Sequence, residues 1–174
     1  NQIIDCGMSP AGKNPADYAW EGYPFKTNGG PHPEIGSGPT FFYHNTAYTT
    51  DPVGGAMLVK SNVLWKKFTF RNNIWVGQDR GFEHWSGALS PWDWDYDNLY
   101  MYSGPCMIIS GTTYNTLTDA QSGTGYLLNG ISAVPQFVDA ASGDFRLASA
   151  SPCVDRGILV PGINDDYIGT APDM

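Results

Sequence analysis

Lys66, Lys67 and Arg71 lie close together, and Tyr43 and His44 stand in a similar aromatic run further towards the N-terminus. If Arg71 points outward from a strand, it stacks over Tyr43. Tyr43, His44, Lys66, Lys67 and Arg71 then make a cationic and aromatic strip on one face. Such a strip suits an acidic polysaccharide, because cations neutralise its carboxylates and Lys, Arg, His or Tyr can move protons. The competing reading makes Lys66 and Lys67 turn charges and pairs Arg71 with a neighbouring Asp. The balance favours that second reading. Trp75 belongs to a run of tryptophans (Trp65, Trp75, Trp85, Trp92, Trp94). An indole on a β face is a platform for the C–H groups of a sugar, and equally ordinary packing material for long loops.

Asp93, Asp95 and Asp97 alternate with Trp92, Trp94 and Tyr96. On an extended strand the three carboxylates share one face. They would repel unless a cation intervened, so the trio is a candidate Ca²⁺ site. A solvated acidic strand edge is the weightier alternative. An EF-hand fails, because Gly104 stands where the bidentate Glu belongs. The three cysteines, Cys6, Cys106 and Cys153, form no CxxC pair and leave one disulfide or three thiols open. No GxSxG, HExxH, P-loop or dinucleotide fingerprint occurs.

These side chains need elements to hold them. Thr40–Tyr48 and Phe68–Val76 are aromatic and β-branched runs bounded by Pro and Gly, a strand signature. They superpose at an offset of 28, which puts Phe42 on Phe70 and Thr46 on Ile74. A third run, Asp95–Tyr100, aligns at Asn98 after a further 25 residues. Asn45, Asn73 and Asn98 then recur at one bend as a ladder of amides, each donating one way and accepting the other. Repeats of this length built from short strands point to a solenoid. An antiparallel β-sandwich is the alternative. The chain divides into a strand at 1–7, a Pro/Gly-rich excursion at 8–40, repeats at 41–110 and a closing segment at 111–174, all in one domain.

Composition narrows the classes. Of 174 residues, 21 are Gly and 13 are Pro, against only 15% charged residues, which excludes a helical bundle. A net charge of −8 argues against binding nucleic acid. No apolar run is long enough to span a membrane as a helix. Low charge with abundant Tyr, Trp, Asn and Gly suits an extracellular or cell-surface setting.

The runs Tyr43-His44-Asn45-Thr46 and Phe70-Arg71-Asn72-Asn73-Ile74 resemble successive rungs of right-handed parallel β-helix repeat proteins, a group that includes polysaccharide lyases. The segments 135–139, 143–147, 151–157 and 165–173 are similar to the closing segment of many such proteins. Cys153 and Arg156 depart from it, standing where small residues are common. The resemblance implies an all-β right-handed parallel β-helix with long loops and a C-terminal cap, the last part of a longer parent chain. Asp144 and Asp155 are expected to cap turns. The function implied is that of an extracellular carbohydrate-associated protein that binds or cleaves an acidic polysaccharide. Any catalysis would be that of a polysaccharide lyase or glycoside hydrolase. The alternative is a non-enzymatic surface, adhesin or self-assembling filament protein.

Overall fold

The computed structural model describes residues 2–4, 23–27, 39–59, 68–85 and 92–174. Short runs of aromatic and β-branched residues set short strands: β1 (Gln2–Ile4), β2 (Phe25–Thr27), β3 (Thr40–Tyr43), β4 (Thr46–Tyr48) and β5 (Gly55–Val59). β6 (Phe68–Arg71), β7 (Ile74–Gly77), β8 (Arg80–His84), β9 (Asp93–Trp94), β10 (Asn98–Met101), β11 (Met107–Ile109) and β12 (Thr112–Tyr114) come next. The helix α1 (Leu117–Thr124) and the strands β13 (Phe137–Asp139) and β14 (Asp144–Leu147) complete the described elements.

From β3 to β11 the chain visits three sheets in rotation. One has the order β3-β6-β9, the second β1-β4-β7-β10 and the third β12-β11-β8-β5-β2. Pairing is parallel throughout them except between β11 and β12. A fourth sheet is the antiparallel pair β13-β14.

The expected closed right-handed β-helix is not what this arrangement amounts to. The protein is mostly β, with several small parallel and mixed sheets and no closed solenoid among the described residues. Two features account for the difference. The first sheet ends at β9, only two residues long, and the chain then turns to antiparallel pairs and a helix. The β-sandwich alternative fails as well, because it needs antiparallel pairing in the main sheets.

The offset of 28 holds: Phe42 pairs with Phe70 and Thr46 with Ile74. Alternation places Phe42, Phe68, Phe70 and Trp94 inward and Phe41, Tyr43, Arg71 and Asp93 outward. Inside, the Phe42 and Phe70 rings stack at 4.8 Å, and Phe70 meets Trp94 at 5.3 Å. Trp75, Phe82, Leu99 and Met107 fill the rest of that core.

Each passage from the first sheet to the second turns a corner through a left-handed residue: His44 (φ 52°), Asn72 (φ 59°) and Tyr96 (φ 57°). This conformation is uncommon for residues other than Gly, so it marks positions that the surroundings hold. After β14 the chain runs back along these stacked corners as a strap. Asn72 Nδ2 donates to the Ile158 carbonyl (2.7 Å), and Asn72 Oδ1 accepts the Ile158 N–H (2.8 Å). Gly157 is needed for this approach, since a Cβ there would lie 2.7 Å from Asn72 Oδ1. No helix among the described residues is long and apolar enough to cross a membrane.

Candidate functional site

The corner residue Tyr96, the segment 129–131 and the start of the strap at Asp155, Arg156 and Gly157 enclose a mainly polar cleft of about 410 Å³. That volume lies in the range of small-ligand sites, roughly 300–1,000 Å³. Each wall has a local cause. Asp95 accepts from the Asn129 N–H and from Asn129 Nδ2, both at 2.7 Å, which fixes the 129–131 segment. The Ile131 N–H donates to the Asp97 carbonyl at 3.1 Å, and Ile131 bridges to Asn98. Asp155 adopts φ 54°, and its Oδ1 accepts the N–H groups of Thr170 (2.9 Å) and Ala171 (3.3 Å). Asp155 therefore caps a turn, as does Asp144, whose Oδ1 accepts the Arg146 N–H.

Arg156 differs from the other three arginines. Arg71 pairs with Asp93, Arg80 with Asp79 and Glu83, and Arg146 with Asp144. Arg156 is exposed and makes no ion pair among the described residues. A guanidinium offers five donors in a planar fork that matches a carboxylate. Arg156 thus brings an uncommitted cation to the cleft of an acidic protein.

The residues singled out from the sequence are spread over different surroundings. Tyr43 and Arg71 are register partners on the outer face of the first sheet, and Tyr43 lies 5.8 Å from the exposed Phe41 ring. Arg71 is committed, however. Its Nη1 donates to the carbonyls of Phe70 (2.7 Å) and Asp93 (2.9 Å), and its Nη2 pairs with the Asp93 carboxylate. His44 faces the strap instead of that strip, with Nε2 beside the amides of Asn72 (3.3 Å) and Asn164 (3.0 Å). Trp75 is fully buried and cannot be a sugar platform. Lys66 and Lys67 lie outside the described residues, as does Cys6.

The carboxylate trio does not form a calcium site. The left-handed Tyr96 rotates the chain after β9, so the three side chains leave in different directions. Asp93 pairs with Arg71 outside, Asp95 holds Asn129, and Asp97 is buried. Among the described residues no group of three or more His, Cys, Asp or Glu is placed to hold a metal ion.

Asp97 takes the ladder position expected for Asn98. Asn45 Nδ2 donates to Asn73 Oδ1 (2.9 Å), and Asn73 donates to Asp97 Oδ1 from its backbone (2.8 Å) and from its amide (3.0 Å). Asp97 Oδ2 also accepts Trp75 Nε1 (2.7 Å) and Trp94 Nε1 (2.9 Å). Burial pushes this carboxyl up to about 7, against the donors that favour its charge. Asn98 pairs with Ile74, one position along, and its amide closes on the Ala133 backbone (2.9 and 3.0 Å).

One further polar cluster, around Tyr23, escaped the sequence analysis. Tyr23 donates its hydroxyl to Glu83, which also takes Arg80 Nη1 at 2.9 Å, and burial raises the Tyr23 phenol. The Cys106 and Cys153 thiols are free and buried, and burial pushes them up to about 12 and about 11. Neither is a poised nucleophile. Comparison with family models, with curated proteins and with solved structures finds no match to this chain.

Proposed function

We propose that this is an extracellular or cell-surface carbohydrate-binding protein that takes a carboxylate-bearing sugar of an acidic polysaccharide in the cleft beside Tyr96. The uncommitted Arg156 guanidinium carries the reading, since it can form a charge-assisted, bidentate contact with a uronate carboxylate. The Tyr96 ring offers an apolar surface for the sugar's C–H groups, and Asn129 offers polar edges. Binding is favoured over cleavage because the side-chain carboxylate that lines the cleft is engaged: Asp155 Oδ1 holds the Thr170 and Ala171 N–H groups.

Titration calorimetry with a uronic-acid oligosaccharide tests the reading. Arg156→Gln should weaken binding by about 10–100-fold, the value of a hydrogen bond to a charged group. Affinity unchanged in Arg156→Gln, or absent in the folded wild type, would contradict it.

A further inference from the structure

The strap that forms one wall of the cleft is fastened at its far end by His44. Asn72 is oriented by the Ile158 backbone, to which it both donates and accepts. Asn164 is oriented as firmly, with Oδ1 accepting the Val160 N–H (2.7 Å) and Nδ2 donating to the Ile158 carbonyl (3.1 Å). Turning either amide over would sacrifice those backbone bonds. Both amides therefore present N–H groups to one nitrogen, His44 Nε2, at 3.3 and 3.0 Å. A nitrogen approached by two donors has to be the acceptor, so the ring is neutral and carries its hydrogen on Nδ1. Protonation would set a third N–H against the other two.

We infer that His44 is a pH-operated latch: the neutral imidazole holds residues 157–164 on the stacked corners, and the imidazolium releases them. The groups around it fit that role. Among the described residues, Asp173 acts on His44 and favours the charged form, while Asn72 and Asn164 carry no charge. The neighbouring Arg71 is turned to Asp93. Burial outweighs Asp173 and holds the imidazole below its usual value. With the strap released, His44 therefore takes up the proton more readily than in the latched state. The strap's hold is complete above about pH 6.5 and declines as pH falls below it. Because Gly157 lines the cleft, release would open that wall, but the latch itself needs no ligand and stands whether or not a sugar binds.

Nuclear magnetic resonance on the full chain tests it without any glycan. At pH 7.5 the His44 ring nitrogens should show the Nδ1–H tautomer. Amide-exchange protection at Ile158 and Val160, taken relative to Ile74 and Asn98 in the sheets, should fall by up to about tenfold per pH unit below 6.5. In His44→Asn, which tolerates the left-handed corner, that relative protection should not change with pH. The relative scale removes global effects, including those of buried His84, whose imidazole is also lowered by burial. An Nε2–H tautomer, or protection at Ile158 that tracks Ile74 down to pH 5, would overturn the latch. So would the same loss in His44→Asn. Should that variant fail to fold, the two wild-type measurements decide alone.

Discussion

Asp97 decides how the corner ladder ends. Asn73 presents its backbone N–H and its amide N–H to the next tier, and two buried indoles aim at the same place. Only an acceptor with two oxygens meets all of them, which is why Asp stands where a third Asn was expected. Aligning on residue identity chose Asn98, while hydrogen-bond demand chose its neighbour. Asp97→Asn would turn an N–H towards one of these donors and should destabilise the fold by about 1–3 kcal/mol, measured by urea unfolding. Its pH signature is equally specific. With its folded value raised to about 7 by burial, Asp97 takes up a proton more readily than the unfolded chain does between pH 4 and 7, displacing one of these donors as it does so. Its contribution is thus greatest in acid and fades as pH rises through 7, and Asp97→Asn should remove that slope. An unchanged slope would show that burial does not dominate at this carboxyl. Arg156 is one of four arginines in the sequence, and nothing local to it marks it as a site residue. That it makes no ion pair among the described residues is a tertiary fact that no local pattern contains.

Among the elements, strands with plain alternation were legible. Phe68–Arg71 buries every second side chain, and its offset from Thr40–Tyr43 gave the register. The run after Trp92 was misread because alternation presumes an extended chain, and Tyr96 leaves the extended region. The helix α1 was missed altogether. Its signals are local: Thr116 and Asp119 cap each other's backbone N–H groups, and Gly125 closes the helix at φ 76°. A Gly/Ser/Thr-rich segment hid them, because such residues also mark turns. Thr116→Ala should cost about 1 kcal/mol, read from the denaturant midpoint. In the strap, Gly157→Ala brings a methyl against Asn72 Oδ1 and the Asp173 carbonyl. Overpacking of this kind should destabilise by about 1–3 kcal/mol and speed proteolysis between residues 157 and 164. Cleavage there at the wild-type rate would mean that the strap does not sit tightly on Asn72.

At the scale of the whole molecule, the aromatic and glycine-rich composition pointed to β structure, and the described residues are mostly β with a single α-helix among them. Its repeats anticipated how successive strands return to the same sheets, because residue spacing encodes parallel register. Closure was not encoded in that way. It depends on the lengths of the connections and on the chain beyond the last repeat, where antiparallel pairs and a helix take over. The interior is shared between sheets through large rings, so Phe70→Ala should cost about 3–5 kcal/mol and lower the denaturant midpoint accordingly. The cleft between the Tyr96 corner and the strap is the site proposed for the sugar. Its most direct test is a backbone-amide titration by nuclear magnetic resonance at pH 7.5 with a uronic-acid oligosaccharide, repeated with its methyl ester. Carboxylate recognition by Arg156 predicts shifts concentrated at Tyr96, Asn129–Ile131 and Asp155–Gly157, strong with the free acid and lost with the ester. Shifts elsewhere, or equal shifts with the ester, would contradict it.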